Sequence, residues 1–166
     1  MQFLQKATKA LISNNVTRFL DSKKIKYTAF ELPAEKLGAE ETARFLSIPL
    51  EKVFKTIVVL RQRGKPLLCV VSGEKEVDLK AVAIILGEKK VNLPTQNEAE
   101  KITGLMSGGI SPLALLNKGF STFVDVSVNQ HEEIYISGGQ RGLSIRLQPS
   151  DLQSITNAKI APIAKD

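Results

Sequence analysis

The apolar residues of this chain fall into short β-branched runs, and the two strongest lie almost back to back at Val53–Leu60 and Leu67–Val71. Each is strand-sized and far below the roughly 20 residues that a membrane-spanning helix needs. Gly64 separates them, within a turn that also carries Arg61, Arg63 and Lys65, so the pair reads as a β-hairpin.

Further strands are predicted at Ser121–Val126, Glu133–Ser137 and Leu143–Leu147, with Gly138, Gly139 and Gly142 punctuating the last pair. Lys24–Leu32 alternates Ile25, Tyr27 and Ala29 on one face, the pattern of a half-buried strand. Short helices are predicted at Val16–Ser22, Glu40–Leu46, Asp78–Leu86, Glu98–Ile102 and Asp151–Ile155. Leu79, Val82, Ala83 and Leu86 share one face of the third, and Gly87 stops it. Ser13, Asn14 and Asn15 offer side chains to cap the first. The expected fold is α+β: a single domain over residues 13–166, with a curled or barrel-like mixed sheet flanked by short helices. Residues 1–12 lack acids, place Leu4, Ala7 and Leu11 on one helical face, and read as a helical extension.

Hydrophobic residues make up 43% and charged residues 24%, which excludes a disordered chain or a coiled coil as the main state. Net charge is +6, and residues 1–26 hold six cations against Asp21 alone, +5 of that total. Such an end suits a polyanionic partner, most simply a nucleic acid, or else a solvated helix face. Nothing in the sequence suggests secretion or a membrane, so a cytoplasmic location is expected.

Cys69 and His131 are the single cysteine and the single histidine. They form neither an internal disulfide nor a structural zinc cluster. Cys69 lies inside an apolar strand and reads as a small core hydrophobe. His131 lies in the polar stretch Asn129–Glu133 and reads as solvated. An enzyme built on this chain is therefore expected to use neither a histidine base nor a thiolate. Lysine, backbone amides and groups on the substrate remain.

Three segments are placed to carry chemistry. Lys55 interrupts a β-branched run and shares a face with Ile57 and Val59, so it either guards a sheet edge or points into a polar cavity. Ser107–Pro112 holds paired glycines whose amides suit a carboxyl, phosphate or oxyanion, or which form an ordinary loop. Ser137–Leu143 reads as a hairpin loop in which Arg141 either holds an anion bidentately or is solvated.

Phe54-Lys55-Thr56, Gly104 followed by Gly108-Gly109-Ile110-Ser111-Pro112, and the run Ile134–Leu143 through Ser137-Gly138-Gly139-Gln140-Arg141 occur in this order and approximate spacing. Together they resemble the YbaK/EbsC family, the bacterial prolyl-tRNA editing domain superfamily, over about residues 14–158. The resemblance implies deacylation of mischarged tRNA for proline, most simply the cysteinyl form, with alanine or another small residue as the alternative. It places the family's lysine on Lys55 and substrate contacts on Phe54, Thr56, Gly108, Gly109, Ile110, Ser111, Ser137, Gly138, Gly139 and Arg141. It implies no metal or cofactor, and prolyl-tRNA synthetase as a partner. In the cysteine-removing members the substrate's own thiol is the implied nucleophile. Leu32 stands where some members carry tyrosine, and Ser144 where some carry aspartate. A non-catalytic tRNA-binding module of the same fold is the other reading, and the intact Lys55 and glycine loops favour the enzyme. A small-molecule hydrolase is a distant third.

Overall fold

The computed structural model describes residues 8–9 and 12–166. In chain order the elements are β1 (Thr8–Lys9), α1 (Asn15–Ser22), β2 (Tyr27–Glu31), α2 (Ala39–Leu46), β3 (Phe54–Val59), β4 (Leu67–Ser72), β5 (Glu76–Val77) and α3 (Leu79–Leu86). They continue with α4 (Gln96–Thr103), β6 (Ser121–Asp125), β7 (Ile134–Ser137), β8 (Leu143–Leu147), α5 (Pro149–Thr156), β9 (Lys159–Ala161) and β10 (Ala164–Lys165). Most of the helical reading of residues 1–12 lies outside the described residues. Thr8–Lys9, which are described, are extended and pair with Glu31 and Phe30.

Two four-stranded sheets form the frame, in the orders β1-β2-β8-β7 and β3-β4-β6-β9. A parallel bridge between Val53 and Tyr135 joins them where β3 begins, so the β-structure curls without closing into a barrel. The β3–β4 hairpin runs in register from Phe54↔Ser72 to Val59↔Leu67, as the two apolar runs predict. All six residues of β4 are buried. Its neighbours explain this: β4 is flanked by β3 and by β6, and apolar clusters cover both faces. A near-continuous apolar run is the signature of a strand covered in this way.

The two faces feed different cores. Phe54, Val70 and Val124 join Val16 and Leu20 of α1, Leu152 of α5 and the inner rows of β7 and β8. Val59, Leu67, Cys69, Val71 and Phe123 pack on Val82 and Ala83 of α3, with Leu79 and Leu86 half-buried beside them. The α3 stripe is the one its spacing predicts, and Gly87 ends the helix at φ +70°. A capping box starts α1: Asn14 Oδ1 accepts from the Thr17 amide at 2.9 Å, and Thr17 Oγ1 accepts from the Asn14 amide at 2.9 Å.

The parallel pairs β4–β6 and β6–β9 and the two-stranded ribbon β5–β10 are additions to the sequence reading. Asp125 organises this edge. Its buried carboxylate accepts from the backbone amides of Ser127, Ile163 and Ala164 at 3.0–3.1 Å, pinning the C-terminal segment to the end of β6.

Candidate active site

β3 is an edge strand, so one side of its backbone is not paired with β4. Leu60 exchanges both backbone hydrogen bonds with Asn92 on that open side, at 2.7 and 3.1 Å. Backbone direction alternates along a strand, so the amides and carbonyls of Thr56 and Val58 turn the same way. Between the Leu60–Asn92 bridge and the Val53–Tyr135 bridge lies a cavity of about 420 Å³. Its walls come from β3, from the segment Leu93–Gln96 and Ala99, from the loops around Gly108 and Leu37, and from Tyr135–Ser137 with Leu143 and Ser144.

Lys55 lines this cavity half-buried. The two sequence readings of Lys55 therefore merge, since it is an edge-strand lysine and it borders a cavity. The ion pairs among the described residues are Arg61–Glu88, Lys75–Asp166 and Arg146–Glu133, so no carboxylate neutralises Lys55. Lys55 and Glu35 are the charged residues of the lining. Thr56 also lines the cavity, and its Oγ1 is buried without a hydrogen-bond partner. Phe54 borders the cavity while its ring lies 2% exposed in the core, edge-on to His131 with centroids 6.1 Å apart. His131 is thus half-buried against an aromatic ring, where the polarity of its loop suggested solvent.

The two glycine loops meet beside the cavity. Gly108, Ile110 and Ser137 line it directly. Gly109, Ser111, Gly138, Gly139 and Arg141 stand outside the lining and build the loops behind it. A Cβ at Gly109 would lie 2.8 Å from Gln140 Cα, so only glycine lets these two backbones touch. Arg141 Nε donates to the Ser107 carbonyl at 2.7 Å, and Asn14 Nδ2 donates to the Gly138 carbonyl at 3.0 Å. Ser111 is fully buried, and its Oγ accepts from the Leu113 amide at 3.2 Å, capping the helical turn Pro112–Ala114.

Leu32 and Ser144 both reach the lining. The lining residues that the sequence reading passed over include Glu35, Thr42, Thr95, Gln96 and Tyr135. Thr95 and Glu98 form a legible capping box for α4, but nothing local says that this helix starts at the cavity. Lys36 Nζ donates to Gln96 Oε1 at 2.6 Å, joining the loop before α2 to the start of α4.

The lining holds no cysteine or histidine. Cys69 lies in the core on the face of β4 turned toward α3, and burial pushes its thiol up to about 12. The site therefore offers a cation, one carboxylate, an unpaired strand edge, loop backbone and hydroxyls. Such a site can hold and polarise an ester without forming a covalent intermediate through a thiolate.

A family model described as aminoacyl-tRNA editing domain matches residues 34–155. The Enterococcus faecalis protein EbsC, described as a candidate Cys-tRNA(Pro)/Cys-tRNA(Cys) deacylase, is 34% identical over 151 residues, covering 90% of this chain and 92% of EbsC. The proline–tRNA ligase of Thermodesulfovibrio yellowstonii is 30% identical over 107 residues, 64% of this chain and 18% of the ligase. The crystal structure of a candidate trans-editing enzyme for prolyl-tRNA synthetase matches with TM-score 0.78 and 24% identity, covering 93% of this chain and 99% of that one.

Proposed function

The chain belongs to the aminoacyl-tRNA editing domain family, and from that premise we propose that it is a trans-acting deacylase that clears mischarged tRNA(Pro), Cys-tRNA(Pro) first. The observation that carries the reading is Lys55, in no ion pair of the described residues, lining beside the open edge of β3 the same cavity as the Gly108 loop and Ser137. The ammonium attracts the phosphate or carbonyl end of the 3′-terminal nucleotide. Backbone groups of Thr56 and Val58 and of the Gly108 loop hold the aminoacyl group. These donors and acceptors are in place before the substrate arrives, which is where electrostatic catalysis gains most.

With a cysteinyl ester, the substrate thiol attacks the ester carbonyl, a carbon–sulfur bond forms, and the ribose oxygen leaves with a proton. That step needs no protein nucleophile, in keeping with the buried Cys69. The apolar character of Leu32 and the small neutral Ser144 favour alanine as the second substrate to test. Prolyl-tRNA synthetase is the partner this reading implies, and the cytoplasm is where mischarged tRNA would be met. No helix among the described residues is long and apolar enough to cross a membrane.

The deciding experiment is a deacylation panel on tRNA(Pro) charged with cysteine, alanine, serine or proline. Rapid loss of the cysteinyl or alanyl ester with prolyl-tRNA spared supports the proposal. No hydrolysis of any member by the folded protein rejects it in favour of a non-catalytic binding module.

A further inference from the structure

The charged turn between β3 and β4 takes no part in the cavity wall, yet the fold fixes it firmly. Glu88 clips it: Oε2 accepts from Arg61 Nε at 2.8 Å, and Oε1 accepts from the amides of Gln62 and Arg63 at 2.9 and 3.3 Å. On the other side, Lys65 Nζ donates to the Lys118 carbonyl at 3.0 Å. That ammonium lies so close over Gly119 that a Cβ there would come within 2.7 Å of it. Three segments distant in sequence, 61–65, 87–92 and 115–120, therefore meet at one end of the sheet.

Their charge is one-sided. Glu88 is the single acid in the three segments, and it is paired with Arg61. Arg63, Lys65, Lys89, Lys90 and Lys118 are all exposed. The patch also runs into the cavity: Asn92, bonded to Leu60, is followed by Leu93 and Pro94, which line it, and Leu93 is 54% exposed.

We propose that this three-loop basic patch is the docking surface for the sugar–phosphate backbone of the substrate tRNA next to its aminoacyl end. The proposal rests on the deacylase reading above. A cavity of this size takes an aminoacyl group and little more, so most of the tRNA must lie on the outer surface. Cations held on short, braced loops suit a phosphate backbone, which needs charge at a fixed place and no base-edge readout. The patch's continuity with Leu93 sets the direction: the acceptor strand passes over the patch and its 3′ end enters between Leu93 and the β3 edge.

The test compares Arg63→Gln/Lys89→Gln/Lys90→Gln with Arg18→Gln/Lys23→Gln/Lys26→Gln, which removes the same charge from the α1 region. Binding to uncharged tRNA(Pro) is measured from about 50 to 200 mM salt, and deacylation at saturating substrate. The patch variant is expected to bind on the order of tenfold more weakly at low salt, with a log–log salt slope shallower by roughly two to three units. Its saturating turnover stays at the wild-type rate, and the α1 variant keeps the wild-type slope. Arg63→Lys/Lys89→Arg/Lys90→Arg restores the slope, which separates charge from folding. An unchanged slope in the patch variant, an equal loss in the α1 variant, or no recovery with the charge-preserving variant each overturns the proposal. If the patch lysines instead govern binding of a synthetase and leave tRNA binding intact, the occupant is an acidic protein surface and the proposal fails. A wild-type protein that binds tRNA through the patch but hydrolyses no aminoacyl-tRNA overturns the deacylase reading and leaves the patch standing.

Discussion

Arg141 Nε donates to the Ser107 carbonyl at 2.7 Å, across 34 positions of sequence, and so fastens one glycine loop to the other. Ser137 Oγ adds a longer contact to the Gly108 carbonyl at 3.4 Å and accepts from the Gly139 amide at 3.3 Å. The arginine that suits an anion on sequence grounds has one of its donors committed to bracing. The two loops that border the cavity are therefore a single assembly, and a change in either one moves both.

Gly109 is where that assembly is most easily broken. Its φ lies outside the left-handed region, so alanine brings no backbone strain there, but the new Cβ would sit 2.8 and 2.9 Å from the Gln140 backbone. Neither atom is the end of a flexible side chain, so the loops must separate. Gly109→Ala is expected to destabilise the protein by about 1–3 kcal/mol, in the range of an overpacked contact, and to lower turnover more than substrate binding. Thermal melting and steady-state deacylation, run on the same preparation, check both parts. Wild-type turnover would show that the close contact has no bearing on the cavity.

Lys55→Ala is expected to lower deacylation by two orders of magnitude or more, the scale of removing one positioned charge from a site of this kind. Its fold should survive, because a half-buried ammonium that makes no ion pair loses little when removed. Lys55→Arg should not rescue, since a planar guanidinium cannot occupy the position of a compact ammonium. Single-turnover rates with circular dichroism as the folding control decide the matter. A folded alanine variant with near-normal rates removes Lys55 from the mechanism.

Cys69→Ala should keep full deacylase activity. The thiol is wholly buried on the face of β4 turned toward α3, and burial pushes it up to about 12, so no thiolate is available at neutral pH. The alanine variant is expected to lose about 1 kcal/mol of stability from the small cavity. Cys69→Ser should lose roughly 1–3 kcal/mol, because a hydroxyl would be buried without a partner. Denaturant melts measure the loss. The native protein should also resist iodoacetamide, and alkylation that abolishes turnover in the folded state would contradict this placement.

The parts of the fold that rest on local pattern were legible in the sequence. The hairpin follows from two apolar runs and Gly64, and the α3 stripe from its 3.6-residue spacing. The start of α1 follows from the polar run Ser13–Asn15, of which the structure uses Asn14 as the cap. Pairings between distant segments were not. The strand β9 is three residues long and carries no pattern of its own, and it exists because β6 offers it an edge. The site divides along the same line. Lys55 and Gly108 stood out because a cation or a glycine is unusual where each occurs, and Ile110 and Ser137 because they sit in the two glycine-rich motifs that carry the family resemblance. Glu35, Thr42 and Gln96 are ordinary polar residues near helix starts, and only the packing of α2 and α4 around the β3 edge gives them a cavity to line. Sequence charge also pointed to residues 1–26. The basic patch draws on turns whose separate charges look unremarkable.

Glu88 makes the basic turn a pH-sensitive element. Arg61 Nε is the main cause holding its carboxyl below the ordinary glutamate range, with the Arg63 and Gln62 amides adding to it, while burial works in the opposite sense. A carboxylate whose pKa is lowered by folding contributes stability that is fully present above its unfolded value. That contribution is lost as pH falls through the folded one. Glu88→Gln removes the charge and leaves an oxygen able to accept from both amides. The difference in unfolding free energy between wild type and Glu88→Gln should therefore be largest near neutral pH. It should shrink steadily as pH drops below the ordinary carboxylate range. Urea titrations at a series of pH values from 7 down to 3 read this directly. A difference that stays constant across the series would mean that neither the Arg61 contact nor the amides favour the ionised carboxyl in the folded state.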